Sequence, residues 1–306
     1  MYKCSKVVFI CKFAFFCSQV FLGGIKLNKN NFRILKILNN NIVLAFDLEN
    51  KEETIIIGKG IGFGKKENKK VYIPYDNIEK SFIAYDEKMK NEYFRIVKRI
   101  DSKIIEISEK IIDMAEKKLG DLNSHIHILL TDHIGFAIER IKAGLEIINP
   151  FIDEIKILYP DEFDIASKGI NMIKEELNLD LGYGEIGFIT MHLHSARKNI
   201  NVKETMKNTR ILNEIIDIIQ DGLRINLNKT DYIYKRLINH IQGALDRIKN
   251  GKCMENPLLN NIKEEFKDSF EIIKKIKAKI EEEYETTVPE QELGYMAIHI
   301  ERLKIK

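Results

Sequence analysis

The sequence predicts a mainly α protein: a small antiparallel β domain followed by two homologous all-α helical bundles. Three observations carry this. Short β-branched runs broken by Asn and Gly turns fill residues 31–90. Apolar residues at helical spacing dominate from residue 91 onward. And that helical half is written twice. LTDHIGFAIERIKAG (Leu130–Gly144) returns as INHIQGALDRIKNG (Ile238–Gly251), and EIGFITMHL (Glu185–Leu193) returns as ELGYMAIHI (Glu292–Ile300). His240 lies 107 positions after His133, and His299 lies 107 after His192. An ungapped register across both blocks is the signature of a duplicated structural unit.

Bulk properties bound the rest. A chain of 306 residues with 44% hydrophobic content has room for two or three ordinary domains. The net charge of +3 does not by itself announce a nucleic-acid binder. Cys4, Cys11, Cys17 and Cys253 form neither a disulfide framework nor a zinc ligand set, which fits a reducing cytoplasm.

Residues 1–30 hold Lys3, Lys6, Lys12, Lys26 and Lys29 and no acid. The basic start and apolar middle resemble a signal peptide, but Lys12 interrupts the apolar run. The uncharged run Phe13–Ile25 is shorter than the ~20 residues a membrane span needs. The expectation is a mis-annotated or disordered extension. In the first case Gly23-Gly24 would be a translated ribosome-binding sequence and Leu27 a UUG start, which the gene's nucleotide sequence decides.

In residues 31–90, Ile34–Phe46 alternates around Asn39-Asn40-Asn41, a hairpin with turn-tolerant asparagines. Thr54–Ile57 and Val71–Ile73 read as further strands. Between them lies GKGIGFGKK (Gly58–Lys66), which lacks the G-x-x-x-x-G-K-[ST] phosphate loop and the helix that should follow a dinucleotide fingerprint. Two readings remain. One is a nucleic-acid contact, with Lys59, Lys65 and Lys66 at phosphates, Phe63 stacking on an unpaired base and the asparagines on base edges. The other is a glycine bulge with Phe63 in the core.

In the helical half, Glu92–Leu119 is expected as one amphipathic helix, Thr131 or Asp132 as the start of the next, and Pro160 as a kink before a helix to Leu177. Glu185–Arg197 closes the first module. The expected division is 31–90, 91–200 and 201–306.

Of seven histidines, four are repeat-equivalent: His133, His192, His240 and His299. His125, His127 and His194 face Tyr232, Tyr234 and Glu301 at the same offset. Three readings compete for the four. A metal site suffers because i and i+2 point to different faces of a helix and no H-E-x-x-H pattern is present. Helix packing is the bland reading. Phosphotransfer is the third: a neutral imidazole is nucleophilic near pH 7, and a phosphoryl group adds about −1.5 to −2 charges to which Arg140 and Arg247 could respond.

NNNIVLAF followed by GKGIGFGKK resembles the co-antiterminator RNA-binding domain of the BglG/LicT family of sugar-transport regulators. TDHIGFAIER, NPFIDEIKILYPDEFDIA and GEIGFITMHLHSA are similar to that family's PTS (sugar phosphotransferase system) regulation domains. The likeness covers roughly residues 32–306 and is strongest to the glucose-operon members. It implies an RNA-binding transcriptional antiterminator, not an enzyme, that uses no cofactor. It further implies a cytoplasmic homodimer without membrane insertion. By motif position Lys36, Asn41, Gly58, Lys59 and Phe63 are the RNA contacts, and His133, His192, His240 and His299 the phosphorylation sites. The implied partners are a leader RNA hairpin, the EIIB domain of a sugar-specific PTS permease, and HPr. Two departures stand out: Lys59 where the family often has Arg, and Asn239 where the first module has Asp132. The runner-up is a DNA-binding activator with the same modules, which needs an N-terminal helix-turn-helix in place of strands. A histidine-dependent metalloenzyme would instead bind stoichiometric metal.

Overall fold

The computed structural model describes residues 31–78, 80–83 and 87–304. The expected start-site extension and three of the four cysteines lie outside the described residues. Five strands form one antiparallel sheet: β1 (Asn31–Ile37), β2 (Ile42–Asp47), β3 (Glu52–Ile57), β4 (Lys70–Tyr72) and β5 (Lys80–Ile83), in the order β4-β1-β2-β3-β5. Strands β2 and β3 are buried on both faces, which is why they read as continuous apolar runs. On one face Ile42, Leu44, Ile55 and Ile57 meet Tyr93, Ile96 and Val97 of helix α1 (Glu87–Arg99). On the other, Val43, Ala45 and Ile56 pack with Phe32, Ile61 and Ile73. The edge strand β5 is four residues long and was not anticipated, because so short a run carries no clear period.

The first helical bundle comprises α2 (Ser102–Leu119), α3 (Ile126–Lys142), α4 (Ile152–Leu158), α5 (Pro160–Leu177) and α6 (Tyr183–Lys198). The second comprises α7 (Val202–Leu223), α8 (Tyr232–Lys249), α9 (Leu259–Glu265), α10 (Lys267–Tyr284) and α11 (Glu290–Glu301). The repeat offset holds in the elements themselves: α9 and α10 begin and end exactly one repeat length after α4 and α5. Stop signals repeat too. Asn178 and Glu285 terminate α5 and α10 in the left-handed conformation, and Gly144 and Gly251 take positive φ after α3 and α8.

Three expectations need correction. The single helix over Glu92–Leu119 is two, because Asp101 caps a new start by accepting from the Lys103 N–H at 2.8 Å. Helix α3 begins at Ile126, so Thr131 is a buried mid-helix residue rather than a cap. The α4/α5 break does not depend on Pro160, since the second bundle breaks at the equivalent Phe266 with Lys267 next. Helix α1 runs across residue 90, and its apolar face belongs to the sheet's core.

The two bundles are latched together. Glu154 of α4 is fully buried, and its carboxylate accepts from the Tyr234 hydroxyl of α8 at 2.5 Å and from Lys229 at 2.9 Å. Ser195 and Thr205 share a buried hydroxyl pair at 2.7 Å across the α6–α7 junction.

Glycines Gly187 and Gly294 sit where helix meets loop. A Cβ on Gly187 would lie 2.5 Å from Nδ2 of Asn149 and 2.8 Å from Cδ1 of Ile152. On Gly294 it would lie 2.6 Å from Nδ2 of Asn256, the repeat-equivalent neighbour. Gly187→Ala is expected to destabilise the chain by about 1–3 kcal/mol through overpacking, read by urea unfolding.

Candidate functional site

Helices α3 and α6 bring His133 and His192 together, with ring centroids 4.5 Å apart. Helices α8 and α11 do the same for His240 and His299, stacked at 3.8 Å. All four repeat-equivalent histidines therefore form two pairs, one per bundle. Burial, with the adjacent His133, pushes His192 down to about 3, and its Nδ1 is buried without a hydrogen-bond partner. Burial and His240 push His299 down to about 4. His240 is lowered by desolvation and then by Arg236, Arg302 and Arg247. These three rings are thus neutral at pH 7, with a lone pair available to an electrophile.

The surroundings of the pairs differ. His133 Nε2 lies 2.5 Å from Oε1 of Glu185, a carboxylate 1% exposed in the first turn of α6. Phe188 flanks the same ring at 6.0 Å. Asp132 forms an ion pair with Arg99 of α1, the helix that covers the sheet. In the second bundle the equivalent glutamate, Glu292, is held by Arg247 through two bonds of 2.8 and 2.7 Å. In the second bundle Asn239 stands in place of Asp132, so the acid that pairs with α1 is replaced there by a neutral amide. A cavity of about 220 Å³ opens beside His240 and His299, lined by Ile241, Arg247, Met254 and Tyr295 among others.

Two of the remaining three histidines behave as packing residues. Buried His127 bonds Glu109 at 2.8 Å. His194 stacks on Tyr159 at 3.8 Å and bonds Glu162 at 3.2 Å. His125 is exposed at the start of α3. Among the described residues, no three His, Cys, Asp or Glu side chains are grouped to hold a metal ion.

At the sheet, the turns at residues 39–41 and 58–64 are stitched together. Gly58 N–H donates to Asn41 O at 2.9 Å, Gly62 N–H to Asn40 O at 2.9 Å, and Gly60 N–H to the Asn41 side-chain Oδ1 at 2.9 Å. Gly58 is a packing necessity, since a Cβ there would come 1.9 Å from Asn77 O. Ile61 plugs the core while Phe63 stands 74% exposed, so the core-phenylalanine reading of this loop is wrong. Lys59 is exposed beside it. Lys36 lies over the Phe94 ring of α1 at 4.6 Å. The Asn41 amide donates to Glu106 of α2 at 2.7 Å. Asn41, Lys59 and Phe63 thus share one end of the sheet, and Lys36 and Asn41 are engaged by the helices. Glu185, Glu292, Arg99 and Glu106 were not singled out from sequence. Only the glutamates carried a signal, their place in the duplicated block.

The chain matches the CAT RNA binding domain over residues 32–91 and the PRD domain twice, over 109–196 and 213–303. A sheet of the RNA-binding CAT type ahead of two PRD bundles defines a PTS-regulated RNA-binding regulator. It is 34% identical over 275 residues to transcription antiterminator LicT of Bacillus subtilis (strain 168), covering 89% of this chain and 98% of that protein. It is 36% identical over 279 residues to the PtsGHI operon antiterminator of the same strain, covering 90% and 98%. A crystal structure of GlcT CAT-PRDI aligns with a TM-score of 0.50 at 42% identity, covering 54% of this chain and 98% of that one. The chain therefore belongs to the family of transcriptional antiterminators built from a CAT RNA-binding domain and two PRD domains.

An acid sensitivity follows from the buried imidazoles. His192 titrates near 6.5 when unfolded and about 3 when folded, so between those values the unfolded chain binds the extra proton. Stability should fall as pH drops through that window. His192→Gln should flatten the fall, measured as urea midpoints at pH 7 and pH 5.

Proposed function

We propose that the chain binds a hairpin in the leader RNA of a sugar operon and prevents termination there, and that phosphorylation of His133, His192, His240 and His299 sets its activity. The observation carrying this is the pair of juxtaposed imidazoles repeated in each bundle, three of the four held neutral at pH 7. Residues 31–90 act as the RNA module, 91–200 as the first regulation module and 201–306 as the second. Residues 1–30 are an extension outside these modules.

The RNA end works by stacking and charge. Exposed Phe63 offers a face to an unpaired base, a contact worth about 1–3 kcal/mol. Lys59 meets phosphate, Gly58 lets the loop backbone approach, and Lys36 and Asn41 complete the contact once released from Phe94 and Glu106. With its Oδ1 accepting from the Gly60 N–H and one amide hydrogen on Glu106, Asn41 has a single amide hydrogen left for a base. Loosening the contact between the sheet and α2 would free the other.

The first module supplies the signal. A phosphoryl group on His133 adds negative charge next to Asp132, which is already paired with Arg99. Arg99 ends α1, and α1 covers the sheet, so a charge at His133 pulls on the helix that packs against the RNA module. Absence of sugar leaves the EIIB domain of a permease phosphorylated, and it modifies His133 and His192 and disfavours the active homodimer. Incoming sugar drains that phosphate. HPr modifies the second module. Charge thereby biases a two-state arrangement. No helix among the described residues is long and apolar enough to cross a membrane, and the site of action is the cytoplasm. The chain is a regulator rather than an enzyme.

His133→Ala and His192→Ala should each give antitermination without sugar in a leader–reporter assay; full sugar dependence in both would overturn the first-module switch. In gel shifts of the full chain, Phe63→Ala should weaken leader-RNA binding about tenfold or more. Glu106→Ala should strengthen it by freeing Asn41, and weaker binding would refute the masking of Asn41.

A further inference from the structure

The two bundles place the same three residues at the same positions and pair them differently. Glu185, His133 and Arg140 in the first correspond to Glu292, His240 and Arg247 in the second. Both glutamates are buried, at 1% and 0% side-chain exposure, so each must find a partner. In the first bundle the carboxylate is on His133 Nε2, and Arg140 lies instead over the ring of Phe136 at 6.0 Å. In the second the carboxylate is on Arg247, and His240 stacks on His299 with its Nε2 accepting a long hydrogen bond, 3.4 Å, from the Arg236 Nε–H. Histidine and arginine stand seven residues apart on one helix, two turns along the same face. One carboxylate thus has two competing partners, and the duplicated chain displays both choices.

A local difference accounts for the choice. Phe136, 56% exposed, gives Arg140 an aromatic platform away from Glu185. The equivalent residue in the second bundle is Gly243, and an Arg247 guanidinium nitrogen passes 3.4 Å from where its Cβ would stand. With no ring to rest on, Arg247 reaches the carboxylate.

We propose that Glu185 and Glu292 are positioning residues that open or close the α3 and α8 histidines to a phosphoryl donor, and that Phe136 and Gly243 set which bundle stands closed and which open. The inference rests on the reading of these histidines as phosphoryl acceptors. A carboxylate can only accept a hydrogen bond, so Nε2 of His133 carries the ring proton while Glu185 holds it, and its lone pair is not available there. The negative carboxylate also occupies the approach of an anionic phosphoryl group. When the carboxylate moves to arginine, solvent carries the ring proton to Nδ1. The Nε2 lone pair then forms a bond to phosphorus as the bond between phosphorus and the donor atom breaks. The electron pair of that bond stays on the donor atom, and no net proton is needed. Once Nε2 bears phosphate, two groups of like charge cannot share it, so Glu185 stays on Arg140. Phosphorylation thereby latches α3 and α6 in the arrangement that α8 and α11 already have.

The test uses the full chain in two measurements. Nitrogen NMR of the unphosphorylated protein reads which ring nitrogen of each histidine carries the proton. Radiolabelled transfer, from the phosphorylated EIIB domain to the first bundle and from phosphorylated HPr to the second, reads the rate at each site, assigned by mass spectrometry. Expected are an Nε2 proton on His133 and a different state on His240. Phe136→Ala should shift the His133 proton to Nδ1 and speed transfer to His133 about tenfold. Arg247→Met should place Glu292 on His240 and slow transfer there by a similar factor. Phe136 is exposed, so its variant should fold, which circular dichroism checks. Identical proton placement on His133 and His240 in the parent chain would overturn the proposal. So would rates unchanged within twofold in both variants. If no histidine takes phosphate, the phosphoryl role of the glutamates falls together with the acceptor reading. A difference in proton placement would then still show the pairing to be real, which separates the two failures.

Discussion

Burying one imidazole against another is the constraint on which the rest of this structure depends. A charged pair of rings at such separations would repel in a medium that screens poorly, so the cheaper state is neutral. Neutrality is also what makes an imidazole nucleophilic at physiological pH. The helices that supply the rings, α3 with α6 and α8 with α11, are held by continuous apolar cores. Packing thus sets the chemistry of the inner ring of each pair: His192 and His299 are neutral because their neighbours shield them from water, while His240 stands exposed.

Duplication shows which parts of that arrangement are tied to the fold and which are free to drift. The boundaries of α4 and α5 recur in α9 and α10, the left-handed cap Asn178 recurs at Glu285, and the close-approach Gly187 recurs at Gly294. Polar partners are not. His194 bonds Glu162 in the first bundle, whereas the equivalent pair in the second is Glu301 with Ser269. The acid has moved to the other helix while the contact persists. His127 pairs with Glu109, yet its counterpart Tyr234 instead latches onto Glu154 across the module boundary. Backbone geometry tolerates little change because an extra methyl has nowhere to go. A buried hydrogen bond needs only one donor and one acceptor, and either helix can provide either.

The link between modules and sheet is electrostatic at its exposed points and apolar beneath. Arg99 with Asp132 and Asn41 with Glu106 span the sheet side and the first bundle. Below them Tyr93, Ile96 and Val97 join the sheet's core to Ile105 and Ile128 of the bundle. Exposed ion pairs contribute little to stability. Their value here is that they can be exchanged when a nearby charge changes. Among the described residues the second bundle has no such pair toward α1, which fits a division of labour between the two.

Much of the architecture was legible in the chain because it rests on period and repetition. β-Branched apolar runs between Asn and Gly turns marked β1 to β3, helical spacing marked the bundles, and the repeat register singled out the four histidines that come together. What escaped were elements with weak local signals: the four-residue β5, the break at Asp101, and the start of α3 ahead of Thr131. Phe63 could be read either way until its exposure was seen, because one aromatic in a glycine loop has no period to place it. The sequence alone determined which residues recur and so which would share a site. Only the tertiary structure decided their partners, since Glu185 lies 52 positions from His133 and 45 from Arg140. Its selection of one over the other turns on a platform, Phe136 or Gly243, whose effect exists only once the helices are packed.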